Sequence, residues 1–174
     1  MGFADFYLAK HYENIISVPF PPDKDLKIIV IIPSYNELHL EATLESLYQC
    51  HPPKGNVEVL ILVNWPENAP SHIKDMSLKQ FEFLKVWGNE HYSDFISFHP
   101  LLYPDMPVKT AGVGLARKTL MDEAVRRFNL LNRFSGIISS LDADTLCEKN
   151  YLSELEKHFE KFPSSDGCVI YFEH

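Results

Sequence analysis

Two carboxylates one residue apart, Asp142 and Asp144, follow the apolar, β-branched run Ile137-Ile138-Ser139-Ser140-Leu141. That run has the composition of a buried strand, and acids have no place inside one, so a strand is expected to end here. In an open α/β sheet the ligand crevice lies outside the carboxyl ends of the strands, which would put both acids at its mouth. Residues at i and i+2 of an extended chain point the same way, and the small Ala143 between them leaves room for a substrate to approach. Paired acids of this kind suit a hard divalent cation with oxygen ligands, Mg²⁺ or Mn²⁺ shared with a substrate phosphate. The same tripeptide also reads as a solvated turn that caps the next helix, so the residues brought to the same edge must decide.

Charge bears on the choice. With 16 Lys and Arg against 24 Asp and Glu, the chain carries −8, and no basic stripe is available to neutralise a nucleic-acid backbone. An acidic protein that handles a phosphorylated ligand needs a cation. The 174 residues, 45% hydrophobic and 23% charged, suffice for one domain with a substantial core. Cys50, Cys147 and Cys168 are scattered, without a CxxC, so neither a disulfide framework nor a zinc site is suggested, which fits a reducing compartment. The apolar runs Ile28 to Ile32 and Val57 to Val63 are too short to span a bilayer, which takes about 20 residues. The start, Met1-Gly2-Phe3-Ala4-Asp5-Phe6, is not a secretory signal, so a cytoplasmic location is expected.

The elements that must position the acids can be taken in order. Residues 1 to 26 are aromatic and proline-rich and read as an ordered lead-in on the domain surface. Leu26 to Ile32 is a strand buried on both faces, ended by Pro33; Asn36 is expected to cap a helix whose Leu40, Leu44, Leu47 and Tyr48 share a face. Val57 to Val63, broken by Glu58, repeats the strand pattern, and Asn64 to Pro70 reads as a loop at the same edge. A helix around Ser77 to Trp87, a short strand at Phe95 to Phe98 and a loop from His99 to Pro107 follow. Gly112 and Gly114 open a helix with Val113, Ala116, Leu120, Ala124 and Phe128 on one stripe and Arg117, Arg126 and Arg127 on the remaining surface. After the acids, Leu152, Leu155, Phe159 and Phe162 mark a helix, and Cys168 to Phe172 reads as a last strand. Strands alternating with helices predict an α/β domain, a mostly parallel sheet flanked by helices.

Three segments together resemble family 2 glycosyltransferases of the Rossmann-like GT-A fold: Ile31-Ile32-Pro33-Ser34-Tyr35-Asn36-Glu37, Gly112-Val113-Gly114-Leu115-Ala116-Arg117, and Asp142-Ala143-Asp144. The resemblance covers roughly residues 27 to 172, the nucleotide-binding half of such an enzyme. It implies donor contacts from Pro33, Tyr35 and Glu37 in the turn under the nucleoside, and from Gly112 and Arg117 beside the base and phosphates. It also implies Asp144 on a metal bridging the donor diphosphate, with Asp142 nearer the ribose. Tyr35 offers a flat face and Glu37 acceptors, as a nucleoside requires. Two departures stand out: Asn64-Trp65-Pro66 occupies the place where the family ends its second strand in acids, and Lys118 follows Arg117 where Asn is common. An amide presents donors as well as an acceptor, so Asn64 could still read a base edge with altered selectivity.

The expectation is a glycosyltransferase that uses a nucleotide-sugar donor and Mg²⁺ or Mn²⁺, inverting, with a glycan or other hydroxyl acceptor. Such a transfer needs one general base, and in the family the base follows the metal motif, so it is expected beyond residue 174. On this reading 1 to 26 is a lead-in, and 27 to 174 is the first part of a truncated domain that binds donor without transferring sugar. Two alternatives remain open. A nucleotidyltransferase would favour a Gly-rich basic loop after the first strand, and Pro33 to Glu37 has neither glycine nor base. A non-catalytic nucleotide- or glycan-binding module would bind without turnover.

Overall fold

A computed structural model describes residues 2–13 and 15–171. Its elements run α1 (Asp5–His11), β1 (Leu26–Ser34), α2 (Leu40–Tyr48), β2 (Asn56–Pro66), α3 (Ser71–Glu90), β3 (Ile96–Met106), α4 (Val113–Leu130), β4 (Ile137–Ser140) and α5 (Tyr151–Lys161). The four strands form one sheet in the order β3-β2-β1-β4, and every pair in it is parallel. β1 and β2 are the apolar runs of the sequence, and both lie in the middle of the sheet, buried on both faces.

The helices divide between the faces as the strand order demands. Ile28, Val30 and Ile32 pack with Leu40, Leu44 and Leu47 of α2, Leu84 and Trp87 of α3 and Leu152 and Leu155 of α5. Ile29, Ile31, Leu60 and Leu62 pack with Ala116, Leu120, Ala124 and Phe128 of α4. A crossover of fixed hand that reverses direction along the sheet must carry its helix to the opposite face, and α4 does so between β3 and β4. The reversal makes β1 and β4 the switch point, where an α/β sheet opens its crevice.

Several boundaries differ from those expected. Pro33 does not end β1; it pairs in register with Leu62. Leu141 N–H donates to the Ile31 carbonyl, so Pro33 faces the same side two residues on, where β4 has already finished and no ladder bond is lost. β2 runs on through Asn64 to Pro66 instead of giving way to a loop. The loop placed at His99 to Pro107 is mostly strand, because β3 is an edge strand that tolerates proline. The Phe95 carbonyl accepts from Val57 N–H, so alternation turns the missing N–H of Pro100 to the open side. α3 is longer than its weak pattern suggested. Asn36 is not a helix cap: its φ of 52° places it in the left-handed region that Asn tolerates, and α2 begins four residues later.

Cys168 to Tyr171 is not a strand but irregular chain, with Val169 95% exposed, and Phe172 lies outside the described residues. An apolar, β-branched stretch becomes a strand only where a sheet takes it in, and among the described residues the sheet is made of β1 to β4 alone. Arg127 is not on the surface. Its guanidinium is buried against Glu58, to which Nη2 donates at 2.6 Å, and Nη1 donates to the Phe20 carbonyl at 3.0 Å. The lead-in contains α1 and is bonded onto α4. Ala4 N–H donates to Asn129 Oδ1 at 2.7 Å, Tyr7 OH to Asp122 at 2.8 Å, and Tyr12 OH and Val18 N–H to Glu123 at 3.0 and 2.9 Å.

Candidate functional site

The carboxyl ends of β1 and β4 lie side by side, with Ile31 opposite Ser140, so the turn after β1 and the acidic loop after β4 share the edge at which a sheet of this order opens its crevice. Within that loop the chain alternates as the spacing suggested. Asp142 and Asp144 are exposed, while Ala143 is 7% exposed with its methyl in the core under α2. The Ala143 carbonyl is taken by Thr43 Oγ1 of α2 at 2.8 Å. Ser46, one turn on, accepts from Cys147 N–H at 3.0 Å, and His51 N–H donates to the Lys149 carbonyl at 2.6 Å. α2 therefore fixes the backbone that carries both acids.

Arg117 reaches the loop from the opposite face of the sheet. It lies in the second turn of α4, and its Nη2 forms an ion pair with Asp142. Its Nε is buried and has no partner among the described residues. Gly112, at the head of the same helix, has φ of 146°, which an L side chain rarely adopts, and a Cβ built there would meet no atom within 4 Å. Asp144 makes no hydrogen bond or ion pair among the described residues. The next residue after Arg117, Lys118, turns away from the crevice and donates to Asp122 at 2.7 Å and to the His11 carbonyl at 2.9 Å, so it ties α1 to α4.

The turn after β1 is braced from α3. Ser34 Oγ donates to Gln80 Oε1 at 3.3 Å, Gln80 Nε2 donates to the Glu37 carbonyl at 2.7 Å, and Glu37 Oε1 accepts from His39 N–H at 3.0 Å. These bonds leave the Tyr35 ring half exposed beside a buried Pro33. Asn64 is buried at the end of β2, and its amide donates to the carbonyls of Ser34 and Leu62 at 3.1 and 3.2 Å. Both of its donors are spent within the protein, and the Ser34 bond ties it to the base of the turn.

The structure thus joins Pro33, Tyr35, Glu37 and Asn64 on one side of the crevice and Arg117, Asp142 and Asp144 on the other. Sequence reasoning missed Thr43, Ser46 and Gln80, which hold these groups. Thr43 and Ser46 had a visible signal, two hydroxyls three apart beside the apolar stripe Leu40, Leu44 and Leu47; Gln80 had none. The Cys147 thiol is pushed up to about 12, by burial first and by Cys50 second, so it is a neutral group rather than a nucleophile.

Among the described residues no three His, Cys, Asp or Glu side chains gather closely enough to hold a metal by themselves. The donor set is two exposed carboxylates, one of them paired with Arg117. That suits a cation such as Mg²⁺, which keeps its waters and takes substrate phosphate oxygens, rather than one caged by protein. Among the described residues no helix is long and apolar enough to cross a membrane.

No family model matches the chain, and no curated protein matches it. Among solved structures it is similar to S. aureus TarS 1-349, with 19% identity and a TM-score of 0.46, over 78% of this chain and 33% of that one. It is similar also to S. aureus TarS 1-349 in complex with UDP-GlcNAc, with 18% identity and a TM-score of 0.46, over 78% of this chain and 32% of that one. The chain spans about a third of the length of these structures.

Proposed function

We propose that the chain is the donor-binding part of a glycosyltransferase that uses a nucleotide sugar and Mg²⁺ or Mn²⁺, in a cytoplasmic setting, and transfers to a glycan or other hydroxyl acceptor with inversion. The observation that carries this reading is the β1/β4 switch point, at which the Tyr35 turn, Arg117 and the two acids converge on one crevice. A flat aromatic face, a guanidinium and a carboxylate are what a nucleoside diphosphate requires at its nucleoside, its phosphates and its bridging cation. Fixed backbone behind each group lowers the ordering cost of binding.

In this reading Asp144, which has no hydrogen-bond or ion-pair partner among the described residues, is the carboxylate that holds the cation, and Asp142 lies nearer the ribose. The cation, when bound, neutralises charge that develops on the departing diphosphate. Arg117 keeps donors unspent after its bond to Asp142, and these face the phosphates together with the backbone at Gly112. Asp142, compensated by Arg117, repels the diphosphate less than a bare acid would. Tyr35 lies against the nucleoside, Pro33 stiffens the floor beneath it, and Glu37 offers its second oxygen as an acceptor. Asn64 sets the height of that floor through Ser34, and Ala143 separates the acids while anchoring their loop.

The test is thermal unfolding of the 174-residue chain with a panel of nucleoside diphosphates and nucleotide sugars, with and without Mn²⁺. A ligand that binds only the native state stabilises by about 2.7 kcal/mol at a hundred times its Kd. At least one nucleotide should raise Tm in Mn²⁺ and lose that shift in chelator. A panel without any metal-dependent shift would remove the proposal.

A further inference from the structure

A groove of about 390 Å³ opens between the turn that follows β1, with the start of α2, and the middle of α3. Its size falls within the roughly 300–1,000 Å³ of small-molecule sites. It begins at Asn36 and Glu37, so it is continuous with the turn that borders the crevice. Its walls are apolar and accessible, with Leu38 78%, Met76 44% and Phe83 45% exposed. Ser77 of α3 also lines the groove. It is 1% exposed, and its Oγ has no hydrogen-bond partner among the described residues. A buried hydroxyl that neither donates nor accepts costs stability, and a ligand atom that met it would recover that cost.

The charges around the groove restrict what enters. The charged residues of its described lining are Glu37, Glu41 and Lys79, a net negative set that disfavours a diphosphate and suits a neutral body. A flat, apolar ring with a hydrogen-bonding edge meets all three conditions: apolar walls for its faces, Ser77 and Glu37 for its edge, and an acidic mouth that keeps its phosphates outside. The end of β2 competes poorly for that edge, because both Asn64 donors are already spent.

We propose that this groove holds the base of the nucleotide, and that Ser77, turned about χ1 on binding, is the residue that contacts the base edge. The inference rests on the donor reading above and deepens it, since it moves base recognition from the end of β2 to α3 and leaves the Tyr35 ring to the ribose side of the nucleoside. The two claims are separable because pyrophosphate carries the charge of the donor without its base.

The experiment is calorimetric titration of the 174-residue chain in Mn²⁺ with UDP, GDP, ADP, CDP and pyrophosphate, on the wild type, Ser77→Ala and Leu38→Ser. Ser77→Ala removes an unpaired buried hydroxyl, so its Tm should hold or rise while affinity for the preferred nucleoside diphosphate falls about tenfold. The ranking among bases should compress, Leu38→Ser should weaken nucleotide binding in the same sense, and pyrophosphate should bind all three proteins equally. Unchanged nucleotide affinities in Ser77→Ala beside a raised Tm would make Ser77 a packing defect and overturn the inference while the donor reading stood. An equal loss for pyrophosphate would overturn it too, as would a wild type that bound pyrophosphate as tightly as any nucleotide. A wild type that bound neither would take the donor reading down with it.

Discussion

At the scale of single residues the two acids have distinct environments, and distinct consequences follow. Asp144 is free to ligate, whereas Asp142 is held by Arg117. Asp144→Asn should therefore abolish most of the Mn²⁺-dependent gain in nucleoside diphosphate affinity, and Asp142→Asn should cost less. Titration of the three proteins with and without chelator checks this, and an equal loss in both variants would contradict the assignment. His99 of β3 makes a different kind of prediction. Burial holds its imidazole below the usual value of 6.5, with Arg127 adding to the shift and Glu58 and Glu123 opposing it. The unfolded chain then takes up this proton more readily than the folded one. The stabilising contribution of a neutral His99 is complete above about pH 6.5 and is lost as pH falls from there toward the lower folded value. Urea unfolding of wild type and His99→Gln between pH 7.5 and 5 should show a steeper loss of stability in the wild type.

At the scale of elements, what was legible in the sequence is what pattern alone dictates. Continuous β-branched runs gave β1 and β2, and helical stripes gave α4 and α5. What was hidden depends on partners distant in the chain. The proline content of β3 reads as loop until its place at the sheet edge is known, and Cys168 to Tyr171 reads as strand until the sheet is seen to leave it out. Glu58 and Arg127 show the same limit in energetic form, since Glu58 reads as a break in its strand and Arg127 as a residue of the helix surface. They are 69 residues apart, and both are almost wholly buried as a pair. Arg127→Met should cost about 3–5 kcal/mol, because it leaves Glu58 buried without compensation. The double variant Glu58→Leu, Arg127→Met should recover much of that loss in urea unfolding. The lead-in belongs to the same network through Phe20 and Glu123, so removal of residues 2–20 should lower Tm and expose the α4 face to a hydrophobic dye.

At the scale of the whole molecule the candidate site was readable as motifs but not as a place. Three short segments named the residues, yet only the strand order brings Tyr35, Arg117 and Asp144 to one edge, and strand order is set by chain reversal rather than by composition. The global charge of −8 was legible from the start, and it acts on any diphosphate that approaches. In chelator, nucleoside diphosphate affinity should therefore improve as salt rises from low ionic strength, because screening weakens the repulsion. In Mn²⁺ the same titration should be flatter or reversed in slope. Identical salt slopes in the two conditions would mean that the cation does not bridge protein and ligand.

α2 and the turn that follows it grip the acidic loop at Thr43, Ser46 and His51, which makes two segments about a hundred residues apart one unit of local unfolding. In amide hydrogen exchange the Cys147 N–H, which lies in irregular chain, should exchange at the pace of α2 rather than at that of an open loop. Thr43→Val should quicken exchange at Cys147 and along the second half of α2 together, and leave β1 untouched. An acid on a surface loop would then owe its fixed position to the opening free energy of a helix.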